Sequence, residues 1–421
     1  MSDTSQDSVT SAKKYFNQFF KKELYGTFKS EVNLILSRGS WNENSIRFPK
    51  FFKTCIDISL EKHWTGYSDS LGHRYAVSAL RKLLSSHCNY SEDQIALTLG
   101  NSVTIGIVFQ QLSRQLVGAK VLTLTPYYPP ILRSIHNHFP DTVFISSLGE
   151  ENDIIAEIRK SVLDNRVKIL FLTNFIGVEG RIFSERYWKE ILQISKEFNL
   201  FLIIDEGLAF TETNYPREIN QENVVRIVSV SKKYGVPGMK FGFILADKVF
   251  MENFYESAST NYGGPSSLLF LLSEFLYLFE YILKSGGDAE NEFRELSRKY
   301  SLSEDEIAAL FSDYKSVVEL NERHFSENLQ AVRDWYRKNS NLFEQIFDFG
   351  GINILFKPDI SCSCHELFLR AIRGYNVSVL PGKCLGDTSD TLFRVTLLEQ
   401  KGDQEEALER LSKIIRENTK E

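Results

Sequence analysis

Residues 224–242 read VVRIVSVSKKYGVPGMKFG, and the interpretation of this stretch decides the fold. Val224–Val230 is apolar almost throughout. Ser229, Ser231, the adjacent lysines Lys232 and Lys233, and the glycines Gly235 and Gly238 follow at its end. A run without polar alternation is how a strand covered on both faces looks. Six further runs share that character: Gln94–Leu99, Lys120–Thr125, Thr142–Ser146, Val167–Thr173, Leu200–Asp205 and Phe241–Ala246. Helical periods lie between them. The clearest starts at Ser184, a candidate N-cap, and carries Trp188, Ile191, Leu192, Ile194 and Phe198. Strand–helix–strand repetition predicts an α/β fold: a large domain with a mostly parallel seven-stranded sheet sandwiched by helices.

The remainder of the chain is organised around that sheet. Residues 1–12 are polar and are expected to be a disordered tail. Residues 13–65 form an N-terminal arm and part of a smaller domain, and 66–284 form the large domain. Past about residue 265 the pattern becomes helical only, with a long apolar stretch at Leu268–Leu283. Residues 285–312 are polar and contain glycine, with Ser303 and Glu306 spaced as a capping box on a short helix. They are expected to be an insertion or mobile flap. A helix from about 316 to 338 then leads into a second α/β region within 313–421. Its strands are expected at Ile352–Phe356, Val377–Leu380 and Leu392–Leu397, and Glu405–Arg416 is a closing helix.

Composition narrows the function classes. The 421 residues have room for a sizeable core, and 43 % hydrophobic with 25 % charged residues is ordinary for a globular protein. Forty-nine basic and 55 acidic residues leave a formal charge of −6, which gives no general attraction to nucleic acid or a membrane surface. No apolar run reaches the roughly 18 residues of a membrane span, and the N-terminus has no signal-peptide pattern. Five irregularly spaced cysteines argue against a disulfide framework and point to a reducing, cytoplasmic setting. Cys362-Ser363-Cys364-His365 does not have zinc-knuckle spacing and has no second pair, so no metal site is expected.

Ligands in open α/β sheets bind beyond the carboxyl ends of strands, which makes the residues after each strand the informative ones. Gly100-Asn101-Ser102 follows the first strand and opens a helix, whose N-terminal N–H groups suit a phosphate or merely start the helix. Pro126-Tyr127-Tyr128-Pro129-Pro130 follows the next, a stiff turn that presents an aromatic ring to a planar ligand or to the core. Asp205-Glu206 ends another; a buried acid there holds a metal, a ribose hydroxyl or a protonated nitrogen, or caps a helix. At Lys232, an amine in an apolar setting loses its charge readily and can attack a carbonyl. Ser229, Ser231 and Lys240 suit a phosphate beside it. A lysine for an imine, an acid for a ring nitrogen, an aromatic for a ring face and several phosphate donors together describe pyridoxal 5'-phosphate.

With these residues the chain resembles a fold-type I pyridoxal-phosphate enzyme of the class I/II aminotransferase family, over about Val32 to Arg416. Residues 229–242 are similar to that family's S-x-S-K-x-x-G-x-x-G-x-R-x-G, with Lys240 in the arginine place. The resemblance implies that Lys232 forms the Schiff base, that Asp205 pairs with the pyridinium nitrogen and that Tyr128 stacks on the ring. Tyr67, followed by Gly72 as in the family's Y-x-x-x-x-G, would reach the phosphate of a neighbouring subunit, which implies a homodimer. Phe393-Arg394-Val395-Thr396 resembles the strand whose arginine forks the substrate α-carboxylate. Asn174 is implied to bind substrate, and Trp41, in Val32–Trp41, lies near the pocket mouth. Lys233 is expected to be an exposed neighbour.

Two departures stand out. The family's N-P-x-N-P-T-G appears as Asn174-Phe175-Ile176-Gly177-Val178-Glu179-Gly180, and its tyrosine three residues after the aspartate is Leu208. Both usual donors to the cofactor's phenolic oxygen are absent, which predicts a raised imine pKa. The resemblance implies an aminotransferase acting on an L-amino acid through an external aldimine and a quinonoid. A lyase or cyclase of specialised amino-acid metabolism is the alternative, and a non-catalytic binding or regulatory protein is the reading from another class. A nicotinamide-linked enzyme is not supported, since no G-x-G-x-x-G follows the first strand.

Overall fold

The computed structural model describes residues 14, 15, 18, 34–85, 88–174, 180–207, 215–286, 288–348, 350–386 and 389–419. The expected strands form β2 (Ile95–Thr98), β3 (Lys120–Thr125), β4 (Thr142–Ser146), β5 (Val167–Thr173), β6 (Phe201–Glu206), β7 (Val224–Ser229) and β8 (Gly242–Leu245). They make one seven-stranded sheet in the order β2-β8-β7-β6-β5-β3-β4. Strands β3, β4, β5 and β6 pair in parallel, while β8 is antiparallel to both β2 and β7. Ile169 to Leu172 and Leu202 to Ile204 are fully buried. Each such side chain contributes roughly 1.5–3 kcal/mol by leaving water.

By packing the chain divides into two units, Met1–Ser45 with Val108–Pro216 and His324–Glu421, and Ile46–Ile107 with Arg217–Arg323. These boundaries differ from those expected at 66–284, 285–312 and 313–421, because strand order decides which segments pack together and no local pattern encodes it. The first unit holds β3 to β6. It also holds a four-stranded antiparallel sheet of β9 (Phe343–Phe347), β10 (Asn353–Pro358), β12 (Leu380–Pro381) and β13 (Phe393–Thr396). Strand β1 (Leu34–Ile35) pairs in parallel with β11 (Val377–Ser378), which joins an N-terminal to a C-terminal segment. Strand β9 has no counterpart among the expected elements; only its end residues Phe343 and Phe347 are buried, which leaves no continuous apolar run to read.

The helices begin where capping chemistry places them. Helix α1 is Lys50–Glu61, α2 Arg74–Leu84, α3 Asn101–Gln115, α4 Pro129–His138, α5 Glu151–Asn165 and α6 Glu185–Glu197. The Ser184 hydroxyl accepts from Tyr187 N at 3.2 Å at the start of α6. After α7 (Lys248–Asn261) the apolar stretch becomes α8 (Phe270–Ser285), followed by α9 (Ala289–Tyr300) and α10 (Glu304–Lys338). The Ser303–Glu306 capping box therefore opens a 35-residue helix, and the short helix and separate helix from 316 expected there are one element. The 285–312 section is also anchored within its own unit. Buried Glu274 accepts from Lys299 and Tyr300, and buried Glu292 from Lys82. Helix α11 (Cys364–Tyr375) starts at Ser363, whose side chain forms a capping box with Glu366. Cys362 to His365 thus lie at a helix start. Helix α12 (Lys401–Glu417) closes the described chain.

Candidate active site

In the second unit, Thr98 at the end of β2 and Ser229 at the end of β7 both pair with Gly242 of β8. That places the two strand ends on either side of one residue. A Cβ on Gly242 would lie 2.3 Å from the Val228 carbonyl, so only glycine permits this pairing. After Thr98 the chain turns at Gly100, whose φ of +88° is costly for any other residue, and α3 begins at Asn101. The Asn101 amide donates to the Ile227 carbonyl at 3.0 Å and fastens the first turn of α3 to β7. Ser102 is exposed in that turn. Asn101 therefore secures the turn through its side chain, a role that its expected assignment as a cofactor ligand did not include.

Ser229 and Ser231 are buried, and the Ser229 hydroxyl accepts from Ser231 N at 3.2 Å. Lys232 follows, half-buried, in a turn closed by Val236 N donating to the Ser231 carbonyl at 2.8 Å. Lys233 is not the exposed neighbour expected: its ammonium is paired with Glu280, a carboxylate 5 % exposed on α8. Lys240 is exposed at a left-handed φ of +53°, a strained conformation for a lysine. Tyr67 is fully exposed, on a segment held by the Ser68 hydroxyl donating to the Pro265 carbonyl at 2.7 Å.

The first unit carries the other expected residues at the carboxyl ends of β3, β5 and β6. Asp205 is buried; Thr173 is its register partner, and Asn174 N donates to its carbonyl at 3.1 Å. One carboxylate oxygen accepts from Gly207 N at 2.9 Å and the other from the hydroxyl of Tyr127. Burial, then the Asp205 charge, push the Tyr127 phenol well above its usual range, so it stays a donor. The resemblance singled out Tyr128 of the Tyr127-Tyr128 pair and gave Tyr127 no role. Tyr128 stands at the N-cap of α4 and is exposed, while Tyr127 points inward, its N–H donating to the Leu385 carbonyl at 2.8 Å.

Arg394 on β13 is 7 % exposed. It donates to the carbonyls of Ser37, at 2.7 Å, and Arg38. Its Nε is buried with no partner, and the guanidinium forms no ion pair among the described residues. Burial pushes it down to about 10, with Cys384 and Tyr128 the neighbouring groups that oppose this. Trp41, expected near a pocket mouth, is buried with its ring 5.7 Å from that of His324. Gly177 and Leu208, the two departures, lie outside the described residues. Two cavities of about 580 Å³ lie beside α11 and α12, lined by Arg373, Tyr375 and Arg410 among others, and contain none of these residues.

The family model for aminotransferase class I and II matches residues 34–411, and the chain belongs to that family. Its members are fold-type I pyridoxal-phosphate enzymes. The cystine lyase CORI3 of Arabidopsis thaliana is 25 % identical over 202 residues, 46 % of this chain and 47 % of that protein. Tyrosine aminotransferase of Dictyostelium discoideum is 23 % identical over 43 % of this chain and 45 % of its own. The chain thus matches about half the length of these curated relatives. Among solved structures, the aromatic aminotransferase of Pyrococcus horikoshii superposes with a TM-score of 0.74, covering 92 % of this chain and 96 % of its own at 18 % identity.

Proposed function

We propose that the protein is a pyridoxal-phosphate-dependent enzyme that takes an L-amino acid, most simply an aminotransferase. The observation that carries this is Arg394: a buried guanidinium with an unpartnered Nε and no ion pair among the described residues is costly to bury unless an anion meets it. A planar fork in that condition suits the α-carboxylate of an amino acid. Membership of the family supports the cofactor, and the residues present fit it. An amine at Lys232, a carboxylate at Asp205 already held by two donors, and hydroxyls with backbone N–H groups at Ser229, Ser231 and Gly100 to Ser102 match the parts of that one molecule.

When bound, the cofactor supplies an electron sink that makes the proton on the substrate Cα removable. Lys232 would hold it covalently, and its amine, when free, would take and return the proton at the substrate Cα as general base and then acid. Asp205, its carboxylate held by Tyr127 and Gly207, would pair with the ring nitrogen, and Tyr128 would cover the ring. We assign Asn174 and Trp41 to the substrate side of the site, Lys240 to the phosphate as positive charge, and Arg394 to the substrate carboxylate. We assign Tyr67 to the phosphate of a second copy, which makes the enzyme a homodimer. No described helix is long and apolar enough to cross a membrane. We assign the enzyme to the cytoplasm on its few, irregularly spaced cysteines.

A second reading, a lyase or cyclase, is favoured by the residues at Gly177 and Leu208 and by likeness to a named cystine lyase. The experiment that decides is direct. Purified protein is mixed with pyridoxal phosphate, its visible band recorded, and the linkage fixed with borohydride. The labelled peptide should contain Lys232. Common amino acids are then added singly and the products identified by mass: a keto acid that keeps the substrate side chain, formed without ammonia while the amino group passes to the cofactor, marks transamination, and ammonia with the expelled substituent and a keto acid that lacks it marks elimination. Absence of any band, even with excess cofactor, sinks the enzyme reading in favour of a binding protein. The missing phenolate donors predict that the band keeps its protonated form through neutral pH, and a clean transition below neutrality would count against that.

A further inference from the structure

The turn that carries Lys232 is fastened by a carboxylate far away in sequence. Glu280 on α8 sits beneath it, and one of its oxygens meets two ammoniums, that of Lys233 and, at 3.3 Å, that of Lys284. The other oxygen accepts from the Tyr234 hydroxyl at 2.9 Å and from the Tyr314 hydroxyl on α10. The two phenols are 3.3 Å apart, and both tyrosines are buried. A carboxylate placed there without partners would be prohibitively unfavourable; four donors compensate for its burial. Two of the four belong to consecutive residues immediately after Lys232. Both long side chains are fixed to one rigid helix, and the backbone between them closes through Tyr234 N donating to the Val230 carbonyl at 3.2 Å.

We propose that Glu280 is a positioning residue for Lys232. This rests on the reading of Lys232 as the cofactor's lysine. An amine that must leave the cofactor, work at the substrate and return needs a backbone that does not drift while the side chain swings. The clamp supplies that fixed base one and two residues away. It also neutralises Lys233, so that a second ammonium does not add its field to the Lys232 amine. Removing the negative charge while keeping the shape should therefore disturb both the reach of Lys232 and its affinity for a proton.

The test compares wild type, Glu280→Gln and Tyr314→Phe. The last removes a donor to Glu280 that is not on the turn. In the protein without cofactor, hydrogen exchange of the peptide spanning 230–241 should quicken about tenfold in E280Q and stay near wild type in Y314F. With cofactor, E280Q should lower the pH midpoint of the visible band by about half a unit or more. Its kcat should fall about tenfold or more, with KM for the amino acid within about twofold. A purely structural role would lower the melting temperature of both variants and move neither the midpoint nor kcat, and that result overturns the proposal. Should E280Q fail to fold, the double variant K233M/Y234F removes the turn's side of the clamp and leaves Glu280 with Lys284 and Tyr314; the same exchange and kcat changes are expected of it. A wild type that yields no borohydride-fixed cofactor on Lys232 overturns the underlying reading and the proposal with it. A labelled wild type beside an unaltered E280Q overturns the proposal alone.

Discussion

Arg394 and Tyr127 are the residues at which a single atom decides the chemistry. Arg394 was legible from the sequence because an arginine at that place in a short late strand matches a family pattern; its burial without an ion pair among the described residues became visible only in the folded unit. Arg394→Lys keeps the charge and loses the fork, so KM for the amino acid should rise about a hundredfold while the cofactor band is retained. Steady-state kinetics with the spectrum recorded alongside would check this, and an unchanged KM would remove Arg394 from the substrate site. Tyr127 was not legible, because adjacent tyrosines on a stiff turn differ only in which way the backbone aims them. Tyr127→Phe deletes a hydrogen bond to a carboxylate, a loss of roughly 1.5–3 kcal/mol. It should lower kcat about tenfold and leave KM close to wild type, since Asp205 would still face its partner but less firmly held.

The elements show where local rules sufficed and where they did not. Ser184, Ser303 and Ser363 all cap helices, and in each case a glutamate or backbone N–H within the first turn completes the arrangement. Ser363 was hidden by the cysteines around it, although Ser363-Cys364-His365-Glu366 has capping-box spacing. Ser363→Ala should destabilise by about 1 kcal/mol, read as a melting point lower by about 1–2 °C, without effect on kinetics. Helix α8 carries the larger effect. Burial alone would raise the Glu280 carboxyl, but Lys233 and Lys284, with the hydrogen bonds from Lys233 and Tyr314, hold it down at about 2. A carboxylate depressed from the usual value near 4.5 adds stability that is complete above that pH and is lost as pH falls through about 2. The size is on the order of 3 kcal/mol. Urea unfolding from pH 5 to pH 2 should thus show a steeper loss in wild type than in Glu280→Gln, and parallel curves would contradict the assignment.

For the whole molecule the consequence to test is shared active sites. If Tyr67 serves a second copy, mixing inactive K232A with Y67F protein should regain about a quarter of wild-type activity, through hybrid dimers with one intact site. No recovery after exchange of subunits would mean that Tyr67 serves its own subunit's site, and full activity of Y67F alone would place Tyr67 outside the site. The sequence by itself determined the α/β class, the seven strands, and Lys232 and Asp205 at strand ends, because burial on both faces and family spacing are written into consecutive residues. It could not determine strand order, the merging of 304–338 into one helix, or which of two tyrosines faces Asp205. Nor could it show that Lys233 is held by a carboxylate 47 positions further along the chain. Those features rest on contacts between distant segments, and the free energy of burying and pairing charged groups is settled only when the segments meet.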